Sequence, residues 1–239
     1  MSDPLVLKDV EKQYGGLRPL RVRDVRVPAG GITMFVGFDR PAAEMFVNLI
    51  TVASLPDKGE VTSLGRPTTA IANSEEWLGF VERFGIVSDR IVLLDAMTVG
   101  QNLAISFDLD LEPVPPAIMS RVTTLAAEVR IEPAQLETPI RDATPLLRSQ
   151  VYLARALAFS PDVLVLEHPT AHLQPDEGAT FADIIKVVSE KRGLTTIGLL
   201  MDERFAKATG GQLLIWQPAT GEVHSPSRFA RLRAALRRG

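Results

Sequence analysis

The clearest candidate for chemistry in this sequence is a glycine between a β-rich run and an amphipathic helix. Residues 32–36 are β-rich, Gly37 follows them, and apolar side chains recur with helical spacing from about residue 42 to 53. Such a loop can hold a phosphate when backbone N–H groups at the helix N-terminus surround the anion and Lys and Ser or Thr bind its charge and its Mg²⁺. The pattern for this chemistry is G-x-x-x-x-G-K-[ST], which no segment of the chain matches.

The segment that begins at Gly37 keeps only the first glycine of that pattern. It reads Gly37-Phe38-Asp39-Arg40-Pro41-Ala42-Ala43-Glu44. Pro41 removes a backbone donor, Ala43 lacks the cation, and Glu44 puts a carboxylate where the triphosphate and its metal would lie. Each charge-assisted hydrogen bond lost is worth about 1.5–3 kcal/mol, so the sequence predicts phosphate binding weakened by several orders of magnitude.

The composition argues against several other kinds of site. With 26 Lys and Arg against 29 Asp and Glu, the chain has no basic excess, so no nucleic-acid partner is predicted. There is no cysteine, and His168, His172 and His224 stand too far from other candidate ligands to predict a metal site. Lys8 and Asp9 interrupt the first apolar run, and no stretch reaches the roughly 18 apolar residues of a spanning helix. We therefore expect a soluble, cytoplasmic protein.

The elements that must position these residues alternate between strands and helices. The predicted strands are residues 5–7, 22–27, 32–36, 85–87, 162–166 and 195–200, with a closing hairpin of 213–216 and 222–223. The predicted helices are residues 42–53, 75–84, 98–106 with Thr98 as N-cap, 116–130, 150–159 and 176–191. This order predicts an α/β core with right-handed crossovers, opened by antiparallel strands that turn at Gly15-Gly16. Residues 223–239 are predicted to form an Arg-rich C-terminal helix, either solvated or in contact with a partner or lipid headgroups.

In this order, the landmarks resemble the nucleotide-binding domain of the ATP-binding cassette (ABC) family over essentially the whole chain. Residues 32–50 resemble its phosphate loop with the flanking strand and helix, MTVGQNL resembles the entry to its helical subdomain, and QVYLARALA with PDVLVLEHPTAHLQP resembles the helix after the signature, the Walker B strand and the D-loop. The resemblance implies an α/β, P-loop NTPase-like cassette with a RecA-like core, an N-terminal antiparallel β subdomain and a helical subdomain. It also implies one domain over residues 1–222, with core 1–90 and 160–222 and helical subdomain about 91–159.

The resemblance implies that the residues at the family's nucleotide-binding positions are vestigial. Tyr14 stands at the position that stacks adenine, and Gly37, Ala42, Ala43 and Glu44 stand in the phosphate loop. ATP and Mg²⁺ are the family's ligands, and with these substitutions no cofactor is expected.

The resemblance also places four residues at the family's catalytic and sensing positions. Glu167 replaces the Asp that orders Mg²⁺, and His168 replaces the Glu that polarises the attacking water. His168 is either a general base or a structural residue paired with Glu44 or with a backbone carbonyl. Asp89 replaces the Gln that senses the γ-phosphate, and Met201 replaces the switch His; a carboxylate repels phosphate and a thioether donates no hydrogen bond.

The segment that resembles the signature has lost its glycines as well. It reads Ala143-Thr144-Pro145-Leu146-Leu147, where Thr144 keeps a hydroxyl and Pro145 and Leu146 replace the two glycines. Gln174 stands in place of the D-loop Asp. We therefore expect the chain neither to hydrolyse ATP in its own site nor to complete the site of a partner, and we hypothesise that Arg40 or His168 pairs with Glu44 in the phosphate volume.

Three functions are compatible with this sequence. The first is a catalytically inactive ABC subunit that binds a transmembrane permease as scaffold or regulator, beside an active ABC ATPase paralogue or a second copy, at the inner face of the membrane. The second is a weak or partner-dependent ATPase that uses Glu167 and His168. The third is a soluble binding module that reuses the cassette fold.

Overall fold

The structure is a computed structural model that describes residues 3–15 and 18–227. Along these residues the strands are β1 Leu5–Lys12, β2 Leu20–Val27, β3 Ile32–Val36, β4 Lys58–Ser63, β5 Arg66–Pro67, β6 Phe84–Val87, β7 Val163–Glu167, β8 Thr195–Leu200, β9 Gln212–Trp216 and β10 Val223–His224. The α-helices are α1 Arg40–Ile50, α2 Ser74–Val81, α3 Val99–Ala104, α4 Pro116–Glu128, α5 Pro145–Leu157, α6 Pro175–Arg192 and α7 Glu203–Ala208.

The central sheet places the carboxyl ends of its five parallel strands at one edge. Its strand order is β10-β9-β3-β8-β7-β6, and all neighbours are parallel except β10, which pairs antiparallel with β9. Strands β7 and β8 are buried along their whole length, which explains their nearly continuous apolar sequences. Because parallel strands end at the same edge, the segments after β3, β6, β7 and β8 meet there. They carry Gly37, Asp89, His168 and Met201.

A second sheet packs against α1 and one face of the central sheet. It is antiparallel with the order β2-β1-β4-β5. Apolar residues of this sheet, of α1 and of β3, β7 and β8 form one buried cluster, so α1 packs in a core that both sheets share. The position of α1 is therefore fixed by the packing of its apolar residues.

The helices of the middle segment pack on the other side of the central sheet. Helices α3, α4 and α5 share one buried cluster with β6, β7 and α6. Asn102 of α3 lies in this region fully buried, with its amide hydrogen-bonded to the carbonyl oxygens of Leu94 and Thr98. The predicted N-cap of α3 is confirmed, because Thr98 and Gln101 form a reciprocal capping box. The middle segment is thus joined to the core by continuous apolar packing.

The predicted α/β architecture with an antiparallel opening sheet is confirmed, although several elements begin or end at other residues and three were not predicted. Helix α1 begins at Arg40 rather than 42, and α5 begins at Pro145 rather than 150. Both start with a proline in the first turn, where the missing N–H is not needed. Strands β4 and β5 and the short helix α7 were not predicted, since β4 (KGEVTS) has a single buried apolar residue, Val61.

The predicted C-terminal boundary needs one correction. Val223 and His224 pair with β9. The hairpin therefore includes Val223, as predicted for residues 222–223, and it takes in the first two residues of the predicted C-terminal helix, which was expected to begin at 223. Residues 228–239 of the predicted Arg-rich helix, and Gly16 of the predicted first turn, lie outside the described residues. The single domain with a helical subdomain over 91–159 remains a prediction.

Candidate functional site

The N-terminus of α1, where a phosphate would bind, is capped by a carboxylate of the chain itself. Asp39 is the N-cap, and its side chain accepts a hydrogen bond from the backbone N–H of Ala42 at 2.9 Å. The carbonyl oxygen of Asp39 accepts from the N–H of Ala43, also at 2.9 Å. A negative side chain at this end of a helix satisfies an unpaired N–H and interacts favourably with the helix dipole. An external anion would have to compete with a covalently attached one.

The residue between Gly37 and Asp39 faces the core instead of a ligand. Phe38 is 1% exposed and stacks on Trp216, with 4.2 Å between ring centroids. Its ring also meets Phe46 of α1 edge-on at 5.4 Å. Phe38 therefore holds the segment after β3 against the end of β9.

Packing also explains the one glycine that the segment retains. Gly37 has a φ of 111°, and a Cβ at this position would lie 2.6 Å from the carbonyl oxygen of Trp216. Both the left-handed backbone and the close approach to β9 require glycine. The presence of Gly37 is thus explained without a phosphate.

An arginine bridges two carboxylates at this edge of the sheet. Arg90 donates from Nε and Nη2 to the two carboxylate oxygens of Glu167, at 2.9 and 2.6 Å, and from Nη1 to Glu44 at 3.1 Å. Glu167 is the last residue of β7, and its side chain is only 4% exposed. The hydrogen bond to Glu167 raises the pKa of Arg90 above its ordinary value. Two parallel N–H···O bonds are the strong, geometrically specific form of this pairing.

A third carboxylate, that of Asp89, lies beside these residues and contacts Arg40 and His172. Asp89 accepts from Nη1 of Arg40 at 2.9 Å, and Nε2 of His172 lies 3.1 Å from its other oxygen. Partial burial raises the pKa of Asp89, but the hydrogen bonds from Arg40 and His172 lower it by more, so it lies below its ordinary value. We define the ionic cluster as Arg40, Glu44, Asp89, Arg90, Glu167 and His172.

The cluster corrects the predicted partners of Glu44. We expected Arg40 or His168 to pair with Glu44, whereas Glu44 pairs with Arg90 and Arg40 pairs with Asp89. Sequence reasoning missed Arg90, although its position directly after Asp89 at the end of β6 places it at the correct sheet edge. His172 was considered only as a metal ligand, and it lies against Asp89 instead.

His168 makes neither of the predicted side-chain contacts. Its backbone is left-handed, with φ of 47°, and its N–H donates to the carbonyl oxygen of Leu199 at 3.1 Å. Its Nε2 is buried and has no hydrogen-bond partner among the described residues. A general base requires a group that orients the imidazole, and none of the described residues does so through a hydrogen bond at Nε2.

The remaining predicted site residues lie in three different places. Tyr14 is half-buried, and this burial raises the pKa of its hydroxyl. The negative charge of Asp39 at the start of α1 raises the same pKa further, so Tyr14 lies near that end of the helix. Thr144 is the N-cap of α5, where its Oγ1 accepts from the N–H of Leu147 at 3.2 Å. Met201 is exposed and lines a separate depression of about 630 Å³ with Gln174. The edge of the sheet thus brings together Glu44, Asp89 and Glu167. Thr144 and Met201 take no part in the ionic cluster.

The described residues offer no group of three His, Asp or Glu side chains that could hold a metal ion. Within the same ranges, no helix is long and apolar enough to cross a membrane.

Comparisons with known proteins agree with this fold. No protein-family model matches the chain. A sulfate/thiosulfate import ATP-binding protein, CysA of Thermosynechococcus vestitus, is 26% identical over 217 residues, which cover 88% of this chain and 60% of the relative. A methionine import ATP-binding protein, MetN of Photorhabdus laumondii, is 28% identical over 215 residues, 84% of this chain and 60% of the relative. The chain therefore spans about three fifths of the length of these relatives.

Solved structures with the same fold are cassettes. The structure of cbiO1 from Clostridium perfringens, described as part of the ABC transporter complex cbiONQ, matches with a TM-score of 0.78 at 17% identity, covering 100% of this chain and 94% of that one. The ATP-binding cassette MJ0796, in a dimer bound to ADP and Pi, matches with a TM-score of 0.71 at 19% identity, covering 92% and 98%. The chain has the fold of an ATP-binding cassette. In this cassette the positions implied for Mg²⁺ ligands, Glu44 and Glu167, are joined by Arg90.

Proposed function

We propose that this cassette is a subunit of a membrane transport complex that acts as scaffold or regulator and does not hydrolyse ATP. The observation that carries the proposal is the guanidinium of Arg90 between Glu44 and Glu167. These carboxylates stand at the two positions that would order Mg²⁺, so the chain supplies its own cation there. The transport setting is supported by the curated relatives, which are import ATP-binding proteins. A permease partner and a location at the inner face of the membrane follow from that setting.

The residues present do not fit a magnesium nucleotide. The side chain of Asp39 occupies a backbone donor at the start of α1, and the methyl of Ala43, which is fully buried, replaces a cation. Each charge-assisted bond lost costs about 1.5–3 kcal/mol of phosphate binding. Displacement of Arg90 by a metal would also break its bidentate pair with Glu167. These costs add in the same direction, which supports loss of nucleotide binding.

The signature-like segment supports the same conclusion for a partner's site. In a cassette dimer this segment would present hydroxyl and N–H groups to the opposite subunit. Here Oγ1 of Thr144 accepts a hydrogen bond from the N–H of Leu147 in its own helix, and Pro145 has no N–H to offer. The subunit would therefore contribute little to nucleotide held by an active paralogue or by a second copy.

The ATPase alternative would depend on Glu167 and His168. Glu167 is engaged by two hydrogen bonds from Arg90, and Nε2 of His168 has no hydrogen-bond partner in the described ranges that would orient it. Both features oppose activation of a water molecule.

Calorimetric titration of the purified full chain with ATP and Mg²⁺ tests the loss of nucleotide binding. We expect no saturable heat at millimolar ATP, because the anion-binding groups are absent or internally paired. Saturable binding together with ATP turnover that Glu167→Gln abolishes would overturn the proposal. Purification from membranes followed by identification of bound proteins tests the transport setting, in which a multi-span permease is the expected partner. Recovery of the chain without any membrane protein would favour a soluble module.

A further inference from the structure

The segment that connects the core to the middle helices is held by the ionic cluster. We define the connector as residues 88–94, between β6 and α3. Its Arg90 bonds to Glu44 of α1 and Glu167 of β7, and its Asp89 bonds to Arg40 of α1. Two consecutive side chains of the connector therefore tie it to a helix and a strand of the core.

The connector is also held from the side of the middle helices. Arg155 of α5 donates from Nη1 to the carbonyl oxygen of Val92 at 2.9 Å. Asn102 of α3 accepts from the N–H of Leu94 at 2.8 Å and donates to its carbonyl oxygen at 3.1 Å. The side chains of both anchored residues are exposed, Val92 at 71% and Leu94 at 40%. The connector is thus held at these residues by hydrogen bonds rather than by burial of their side chains.

We infer that the ionic cluster is a permanent clamp that keeps the connector ordered in the absence of any nucleotide or metal. In a site that depends on a bound ion, the order of the surrounding loop depends on the concentration of that ion. Here the cation is the side chain of Arg90, which is covalently part of the connector. The order of the connector is therefore constitutive, and a partner that touches it meets one conformation. This inference rests on the proposed function, because a site that bound nucleotide would place the connector under nucleotide control.

The contacts of the clamp differ in strength. The carboxylate of Glu167 is 4% exposed, whereas the side chain of Glu44 is 47% exposed and that of Arg40 is 52% exposed. A buried carboxylate that loses its partner is costly, while exposed pairs contribute little because water screens them. Arg90 and Glu167 therefore dominate, and Glu44 and Arg40 are secondary.

Hydrogen–deuterium exchange of the full chain, read by mass spectrometry, tests the clamp. The informative amides are those of Ile91, which donates to the carbonyl oxygen of Ser88, and Leu94. We expect Arg90→Gln to speed exchange in peptides covering residues 88–94 by about tenfold to a hundredfold, as loss of a charge-assisted pair implies. Arg90→Lys keeps the charge without the bidentate geometry, so its effect should be intermediate.

Arg83→Gln is the matched control. Arg83 also forms a short ion pair, with Asp162 at 2.6 Å, but both side chains are exposed and neither belongs to the cluster. This variant should leave exchange at 88–94 unchanged. Unaltered protection of 88–94 in Arg90→Gln, with both Arg90 variants folded by circular dichroism, would overturn the inference; so would equal loosening in Arg83→Gln.

Addition of Mg²⁺ and ATP to the wild type separates this inference from the proposed function. The clamp and the proposed function both predict that Mg²⁺ and ATP leave hydrogen exchange unchanged throughout the chain. Protection of residues 37–44 by the nucleotide, with the connector unchanged and loosened only in Arg90→Gln, would overturn the proposed function and leave the clamp standing. Tightening of residues 88–94 by the nucleotide would overturn the clamp itself.

Discussion

Truncation of Phe38 tests whether the segment after β3 belongs to the hydrophobic core rather than to a ligand site. The ring is 1% exposed, stacks on Trp216 at 4.2 Å and meets Phe46 edge-on at 5.4 Å. Truncation of a buried Phe to Ala costs about 3–5 kcal/mol, and an aromatic pair contributes about 0.5–1.5 kcal/mol beyond burial. We therefore expect Phe38→Ala to lower the free energy of unfolding by about 4 kcal/mol.

Urea unfolding followed by tryptophan fluorescence and circular dichroism measures this loss. The chain has two tryptophans, and Trp216 lies against the ring that is removed, so its native emission should also change. Phe159→Ala is the matched control, because its ring is 64% exposed and its removal should cost less than about 0.5 kcal/mol. A loss below about 1 kcal/mol for Phe38→Ala, with an unchanged dependence on urea concentration, would refute the reasoning.

Two further predictions concern the same edge of the sheet. Gly37→Ala should lower stability by about 1–3 kcal/mol, because of its left-handed backbone and the close approach of β9, whereas Gly79→Ala in α2 meets nothing within 4 Å and should raise stability by about 0.5–1 kcal/mol. Thermal unfolding distinguishes them, and equal shifts would contradict the packing argument. For Asp89, partial burial raises the pKa but hydrogen bonds from Arg40 and His172 lower it by more, so its carboxylate stabilises the fold above its unfolded-state pKa of about 4 and this contribution disappears as pH falls through the lower folded value. Asp89→Asn should flatten the acid side of the plot of unfolding free energy against pH, measured from about pH 7 to about pH 3; a profile parallel to that of the wild type would count against it.

The elements that could be predicted are those whose signals are local. Strands β7 and β8 were recognisable because strands buried on both faces are nearly continuous in Val, Leu and Ile. The start of α3 was recognisable because Thr98 is a good N-cap. Strand β4 could not be recognised from its own residues, since it is formed by pairing with β1.

The residue types at the site were visible in the sequence, whereas their contacts were not. The absence of a Lys at Ala43 is visible in the sequence alone. The partners of Arg90 lie 46 and 77 residues away, and they meet it only when the ends of β6 and β7 and the start of α1 come together. The same holds for the stack of Phe38 on Trp216, which joins the segment after β3 to β9, far away in the chain.

The bidentate pair between Arg90 and Glu167 also limits which single substitutions this chain tolerates. Replacement of Arg90 alone would strand a buried carboxylate at a cost of about 3–5 kcal/mol, and a Lys at position 43 alone would place a cation on the fully buried side of α1. Each change alone therefore lowers stability. Under the proposed function, a site that holds a magnesium nucleotide would need several such changes together. The cluster thus makes further divergence more accessible to single substitutions than a gain of ATP binding.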